Sequence, residues 1–200
     1  GKAKSNKDVM VVNLNWGVGL GMILDNELYR GHSGYAGEFS HIPLSDSNKL
    51  CSCGKKGCLE VEASLLAAVQ FATNSLIAGD PSSLQEIYNQ QKFINADNLL
   101  DAAILGDQLA MEAINRIGYM LGKGIATLIH IINPQMVLIS GRGARAKDVL
   151  LPKIQSAIME FSIKRLSQNT QIEFSNTENM QLLGSTCICI LNADKHIYKT

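Results

Sequence analysis

Residues 8–14 run through Val9, Val11 and Val12, a β-branched stretch of strand length, and residues 18–24 form a second such run. Asp25 and Asn26 tolerate positive φ, so they predict a two-residue turn into a third strand at Glu27, Leu28 and Tyr29. The opening therefore reads as a three-stranded antiparallel meander, followed by a loop carrying Gly31, Gly34 and Gly37. Further on the period changes from two to helical. Leu65, Leu66, Val69, Phe71 and Leu76 predict one helix over residues 61–78, stopped by Gly79 and Pro81. Shorter helices are expected over 84–90 and 96–105. Asp107 then caps a long helix through Leu109, Ile114, Ile117, Leu121, Ile125 and Leu128, which ends before Pro134. Gly118, Gly122 and Gly124 lower its helix propensity but let a neighbour pack closely. Residues 136–140 read as a buried strand, and Gly141, Arg142 and Gly143 as a turn into a helix over 146–160. Residues 171–174 read as a last strand and 180–192 as a last helix.

With 200 residues, 46% of them hydrophobic, the chain can bury a sizeable core. Eighteen basic and eighteen acidic residues leave it formally neutral, and no basic run is longer than the Lys55 and Lys56 pair. Phosphate-backbone affinity depends on clustered positive charge, so this chain by itself is a poor match for DNA. No window reaches the roughly 18 apolar residues of a membrane span, and residues 1–8 lack the apolar run of a secretory signal. Residues 1–8 read as a tag or linker. The absent initiator methionine and the abrupt strand at Val9 suggest a fragment.

The chemistry concentrates between His41 and Glu60, where Cys51, Cys53 and Cys58 follow the histidine. Three thiolates and an imidazole complete a tetrahedral zinc shell, and Gly54 and Gly57 allow the backbone to curl around one point. With four protein ligands no position is left for a catalytic water, so the zinc reads as structural. Its net charge of about minus one lies beside Lys55 and Lys56. The alternative is three unrelated cysteines, with a disulfide and a free thiol, although the short spacings suit a shared metal better. Thiolates offered to zinc, without an even disulfide framework, point to a reducing cytoplasm.

The run Gly34, Tyr35, Ala36, Gly37, Glu38, Phe39, Ser40, His41, followed by Cys51, Ser52, Cys53, Gly54, Lys55, Lys56, Gly57, Cys58, Leu59, Glu60, resembles the signature of the ROK family. That family contains repressors, open reading frames of unknown role and sugar kinases. The resemblance extends from about Val9 to about Gly184. It implies an α/β fold, the actin-like ATPase or ribonuclease H-like lobe, with residues 9–200 as the C-terminal lobe, 41–60 as a zinc-binding loop and 61–132 as a helical part. The order of predicted elements agrees with such a lobe. The resemblance also implies that Glu38, His41 and Glu60 contact a sugar. Carboxylates accept from adjacent hydroxyls, and the imidazole can offer one nitrogen to zinc while the other makes a hydrogen bond. Read from the residues alone, Glu38 and Glu60 could equally be surface carboxylates that tie down the metal loop.

Gly17, Gly19 and Gly21 could expose backbone N–H groups to a phosphate. In kinase members of the family a small hydroxyl residue matches Trp16, and this chain departs from that pattern. Gly141 and Gly143 resemble the later nucleotide-side turn, with Arg142 interrupting the usual paired glycines. The catalytic aspartate of the kinases would lie before Val9, outside this chain. Three functions follow: the sugar-effector-binding and oligomerisation domain of a repressor whose operator-binding domain lies outside the chain; half of a sugar kinase using ATP and magnesium; or a zinc-stabilised dimerisation module. Trp16 and Arg142 favour the first, and the family habit of forming dimers and tetramers implies a homo-oligomer. Cys187 and Cys189 read as small core residues, His130 as a packed or interface histidine, and His32 and His196 as loop residues.

Overall fold

In the computed structural model, which describes residues 7–175, five strands form one mixed sheet in the order β3-β2-β1-β4-β5. Strand β1 (Val9–Leu14) pairs antiparallel with β2 (Val18–Leu24), which pairs antiparallel with β3 (Glu27–Leu28). Asp25 and Asn26 turn that second corner at φ 52° and 66°. On its other side β1 runs parallel to β4 (Met136–Ser140), which runs parallel to β5 (Gln171–Phe174). Alternate side chains leave opposite faces of the sheet. Met10, Val12, Leu14, Val137 and Ile139 join the main core, while Val9, Met136 and Leu138 form a second cluster with Val11 and Ile23.

Between β3 and β4 lie α1 (Leu59–Ala63), α2 (Leu65–Ala78), α3 (Leu84–Gln91), α4 (Ala96–Ile104) and α5 (Gln108–Ile132). After β4, a 3-10 turn at Arg142–Ala146 leads into α6 (Lys147–Phe161), followed by a short α7 (Lys164–Ser167). Helix α5 is the hub and packs on α1, α2, α4 and α6. Its glycines explain the close approach: a Cβ at Gly122 would lie 2.6 Å from the Ile154 carbonyl and 2.7 Å from the Ala157 side chain of α6. A Cβ at Gly124 would lie 2.6 Å from Leu59 of α1. Asp107 caps the start of α5 by accepting from the Ala110 N–H at 2.9 Å, and Asn133 ends it in the left-handed region at φ 52°.

The single helix expected over 61–78 is instead two. Ser64 is extended, at φ −83° and ψ 162°, and its hydroxyl accepts from the Ala67 N–H at 3.2 Å, so it caps α2 rather than continuing α1. The Leu65 N–H is drawn to the Asn15 carbonyl at 2.9 Å, which fixes the break against the β1–β2 turn. Helix α1 begins at Leu59, so Glu60 belongs to its first turn. His130 is not packed: it stands exposed, and its Nε2 accepts from the Ile163 N–H at 3.1 Å. His32 lies in a turn. The expected helix over 180–192, with Cys187 and Cys189, and the expected loop position of His196 lie outside the described residues. Among the described residues, no helix is long and apolar enough to cross a membrane.

Candidate functional site

Gly37 places the first part of the site. It adopts φ 107°, and a Cβ there would lie 2.3 Å from the Leu20 carbonyl of β2. Only glycine lets the chain press against the strand in this left-handed conformation. A 3-10 turn, Glu38–His41, starts there, with Phe39 and Ser40 buried and Glu38 turned outward.

From His41 the chain enters a small bridged loop. Leu44 and Ser45 both donate from their backbone to the Gly57 carbonyl, at 3.0 and 3.2 Å, and Gly57 donates to Lys49 at 3.1 Å. Gly57 sits at φ 70° with no room for a Cβ beside the Ser45 carbonyl. The Leu59 N–H donates to the Ile42 carbonyl at 3.0 Å, which seats the loop on α1. Two charged side chains hold its outer arm. Lys123 of α5 donates to the Leu44 carbonyl at 2.7 Å. Glu62 of α1 accepts from Lys49 at 2.8 Å and from the Ser47 hydroxyl.

The ligating atoms of His41, Cys51, Cys53 and Cys58 lie within 4.8 Å of one another. Cys51 Sγ is 3.4 Å from His41 Nδ1, and Cys53 Sγ is 3.6 Å from Cys58 Sγ. Donors of a tetrahedral zinc with N and S ligands are spaced at about 3.5–3.8 Å, so the set fits that ion. Burial pushes the Cys58 thiol up to about 12, with the neighbouring Cys53 and Cys51 adding to the shift. The backbone at Lys55 acts in the opposite sense on exposed Cys53 and holds its thiol below the ordinary value. A buried thiol this reluctant to ionise becomes a thiolate readily only beside a cation.

His41 is shared between two neighbours. Its Nδ1 faces the sulfurs, and its Nε2 lies 3.6 Å from Glu38 Oε2. An ion at Nδ1 leaves the proton on Nε2, the nitrogen on the Glu38 side. Glu60, in the first turn of α1, turns its carboxylate toward the β1–β2 corner: a Cβ at Gly17 would lie 2.7 Å from Glu60 Oε2. Gly19 and Gly21 are strand residues of β2, paired with Asn13 and Val11. Gly141 and Gly143 pack on the end of β1. A Cβ at Gly141, where φ is 84°, would lie 2.4 Å from Asn13 Oδ1, and one at Gly143 would lie 2.4 Å from Leu14. Gly17, Gly19, Gly141 and Gly143 thus lie at the C-terminal end of β1, where Trp16 is 56% exposed, whereas Gly21 pairs with mid-strand Val11. Asn13 Oδ1 is buried there without a partner. Arg142 leaves this turn sideways and meets Asp97 of α4 at 3.4 Å, beside the pairs of Arg145 with Asp97 and Asp101.

The sequence reading missed Lys123 and Glu62. Lys123 reaches across 79 positions to Leu44, and no local pattern could have signalled that contact. The Ser47 and Glu62 pair bridges 15 positions between the loop and α1, and no periodicity marks it.

The model of the ROK family matches residues 1–190. This chain belongs to the ROK family. Among its curated ROK-family relatives, the DNA-binding transcriptional dual regulator NagC of Escherichia coli is 32% identical over 92% of this chain and 44% of its own length. A glucokinase of Halalkalibacterium halodurans is 29% identical over 90% of this chain and 54% of its own length. A solved ROK family transcriptional regulator, a homologue of the E. coli MLC protein, superposes with a TM-score of 0.82 and 32% identity, over 90% of this chain and 44% of its own. The chain spans about half the length of these relatives. Repressors and kinases are both among the ROK relatives, with the actin-like α/β fold in common.

Proposed function

We propose that this chain is the sugar-effector-binding and oligomerisation lobe of a ROK-type transcriptional regulator whose DNA-binding domain lies outside it. The observation that carries the sugar reading is the position of His41, with Nδ1 at the thiols and Nε2 toward Glu38. A zinc held by His41, Cys51, Cys53 and Cys58 would be structural. It would orient the imidazole so that Nε2–H donates to a sugar hydroxyl, while Glu38 and Glu60 accept from others. The regulator branch is supported by NagC and the MLC homologue, each 32% identical to this chain. It is supported as well by the exposed indole of Trp16 at the β1–β2 corner and by Arg142 between Gly141 and Gly143. Sugar would bind one arrangement of the lobes and of the homo-oligomer more tightly, shifting the population toward a spacing of DNA-reading helices that suits the operator differently.

The similarity to a glucokinase supports a second reading, in which ATP and magnesium meet the glycine turns at 17–21 and 141–143. Isothermal titration of the full-length protein separates the two. A sensor binds a hexose or an acetylated hexosamine and shows no heat with ATP–magnesium. Nucleotide binding strengthened by sugar makes the protein a kinase. Glu60→Gln should weaken sugar binding at least about tenfold and leave the metal content unchanged. Equal loss of both would make Glu60 a support of the loop and not a sugar contact.

A further inference from the structure

We propose that Cys53 and Cys58 form a peroxide-responsive dithiol, a modification site that releases the metal and lets go of His41. The two sulfurs already touch at 3.6 Å, and Cys53 is exposed while Cys58 is fully buried beneath it. One sulfur is therefore open to a small oxidant, and its resolving partner is shielded. Closing the pair to a disulfide of about 2.05 Å takes a shift of about 1.5 Å. Gly54 supplies that freedom, because it turns at φ 85° next to Cys53 and a Cβ there meets nothing within 4 Å. Cys51 is placed differently: it is buried and faces His41 Nδ1.

The chemistry balances with a hydroperoxide as oxidant. Cys53 sulfur attacks the peroxide, an S–O bond forms as the O–O bond breaks, and water or an alcohol leaves with a sulfenic acid at Cys53. Cys58, a thiolate in the metal-loaded protein, then attacks the Cys53 sulfur, the S–S bond forms, and the hydroxyl leaves as water with a proton from solvent. Two metal-bound thiolates, one hydroperoxide and two solvent protons give one disulfide, one alcohol or water, and one further water. Two of the four metal donors are consumed, so an ion held by the remaining His41 and Cys51 dissociates. His41 then loses the contact that orients its ring. The consequence for sugar rests on the proposed sugar site, whereas the disulfide rests on the sulfur geometry alone.

Hydrogen peroxide is applied to the metal-loaded, full-length protein, free thiols are blocked by alkylation, and three quantities are read. The expected results are an intact mass carrying two fewer alkyl groups than the untreated, alkylated protein, one metal ion released per chain to an indicator dye, and a linked pair of tryptic peptides. Trypsin cuts at Lys55 and Lys56, between the two cysteines, so the bond appears as two joined peptides. Fragmentation distinguishes Cys53 from Cys51 in the wild type, and Cys51→Ser should still form the link. Sugar affinity should fall at least about tenfold and return on reduction with a dithiol and added zinc. Oxygen added to Cys53 without the link, or a Cys51–Cys53 bond in its place, would overturn the proposal. A reduced protein that binds no sugar overturns the sensor reading instead, and the peptide link is scored independently of it.

Discussion

Single side chains here are constrained by what their neighbours already occupy. Gly37 shows this most clearly, since its position lies against a carbonyl of β2 and the turn it starts carries both Glu38 and His41. Gly37→Ala adds a Cβ 2.3 Å from the Leu20 oxygen in a conformation that disfavours it already. A left-handed alanine costs about 1–2 kcal/mol before any clash. The expected result is a lower melting temperature together with a larger loss of sugar affinity, because the clash is relieved by moving the turn off β2. A variant with wild-type melting and wild-type sugar titration would show that Gly37 does not place the turn. Gly37, Glu38 and His41 were legible in the sequence as a motif. What the sequence could not show is the Leu20 carbonyl, which is brought to Gly37 by the sheet.

At the scale of elements, side-chain caps fix where α2, α4 and α5 begin, and one of these caps carries an ionisable group. Asp107 accepts from the Ala110 N–H and also from the Ser83 N–H at 2.6 Å and the Ser82 hydroxyl at 3.0 Å, so it ties the start of α5 to the α2–α3 connection. Burial works against its charge, but the hydrogen bonds from Ala110, Ser83 and Ser82 outweigh it and lower its carboxyl below the ordinary value. A lowered folded value means stability that is fully present above the unfolded carboxyl pKa of about 3.9 and is lost as pH falls through the folded value. Asp107→Ala should therefore cost about 1–2 kcal/mol at neutral pH, and the gap to wild type should narrow in urea melts below about pH 4. A gap independent of pH would assign the cost to lost packing and not to the charged cap. Asp107 was readable as a cap because an apolar helical period starts immediately after it. Ser64 was not, because the apolar period runs across it from 61 to 78 and the break is enforced by Asn15, which is distant in sequence.

For the whole molecule, the strands were legible as apolar runs, but the parallel pairing of β1 with β4 joins Val9 to Met136 and leaves no local trace. That pairing puts the main core between the sheet and α5, and the loop at 41–58, which carries the candidate metal donors, is attached outside it through Leu59, Lys123 and Glu62. Two energetic layers follow from the arrangement. The core buries β4, most of β1 and the inner face of α5, whereas the loop offers few apolar side chains and depends on backbone bonds, ion pairs and the donor set. Removing the proposed ion of this donor set with a chelator should thus loosen the loop first and leave the sheet in place. The expected observations are unchanged far-ultraviolet dichroism at 25 °C, faster amide exchange at Cys51, Lys55 and Gly57, and a lower melting temperature. The shift should follow at about 2–4 °C for each kcal/mol of binding energy lost in a chain of this size. Protection lost equally in β1 and α5 would mean that the metal loop nucleates the core, and protection kept throughout would remove the metal from the stability of this lobe.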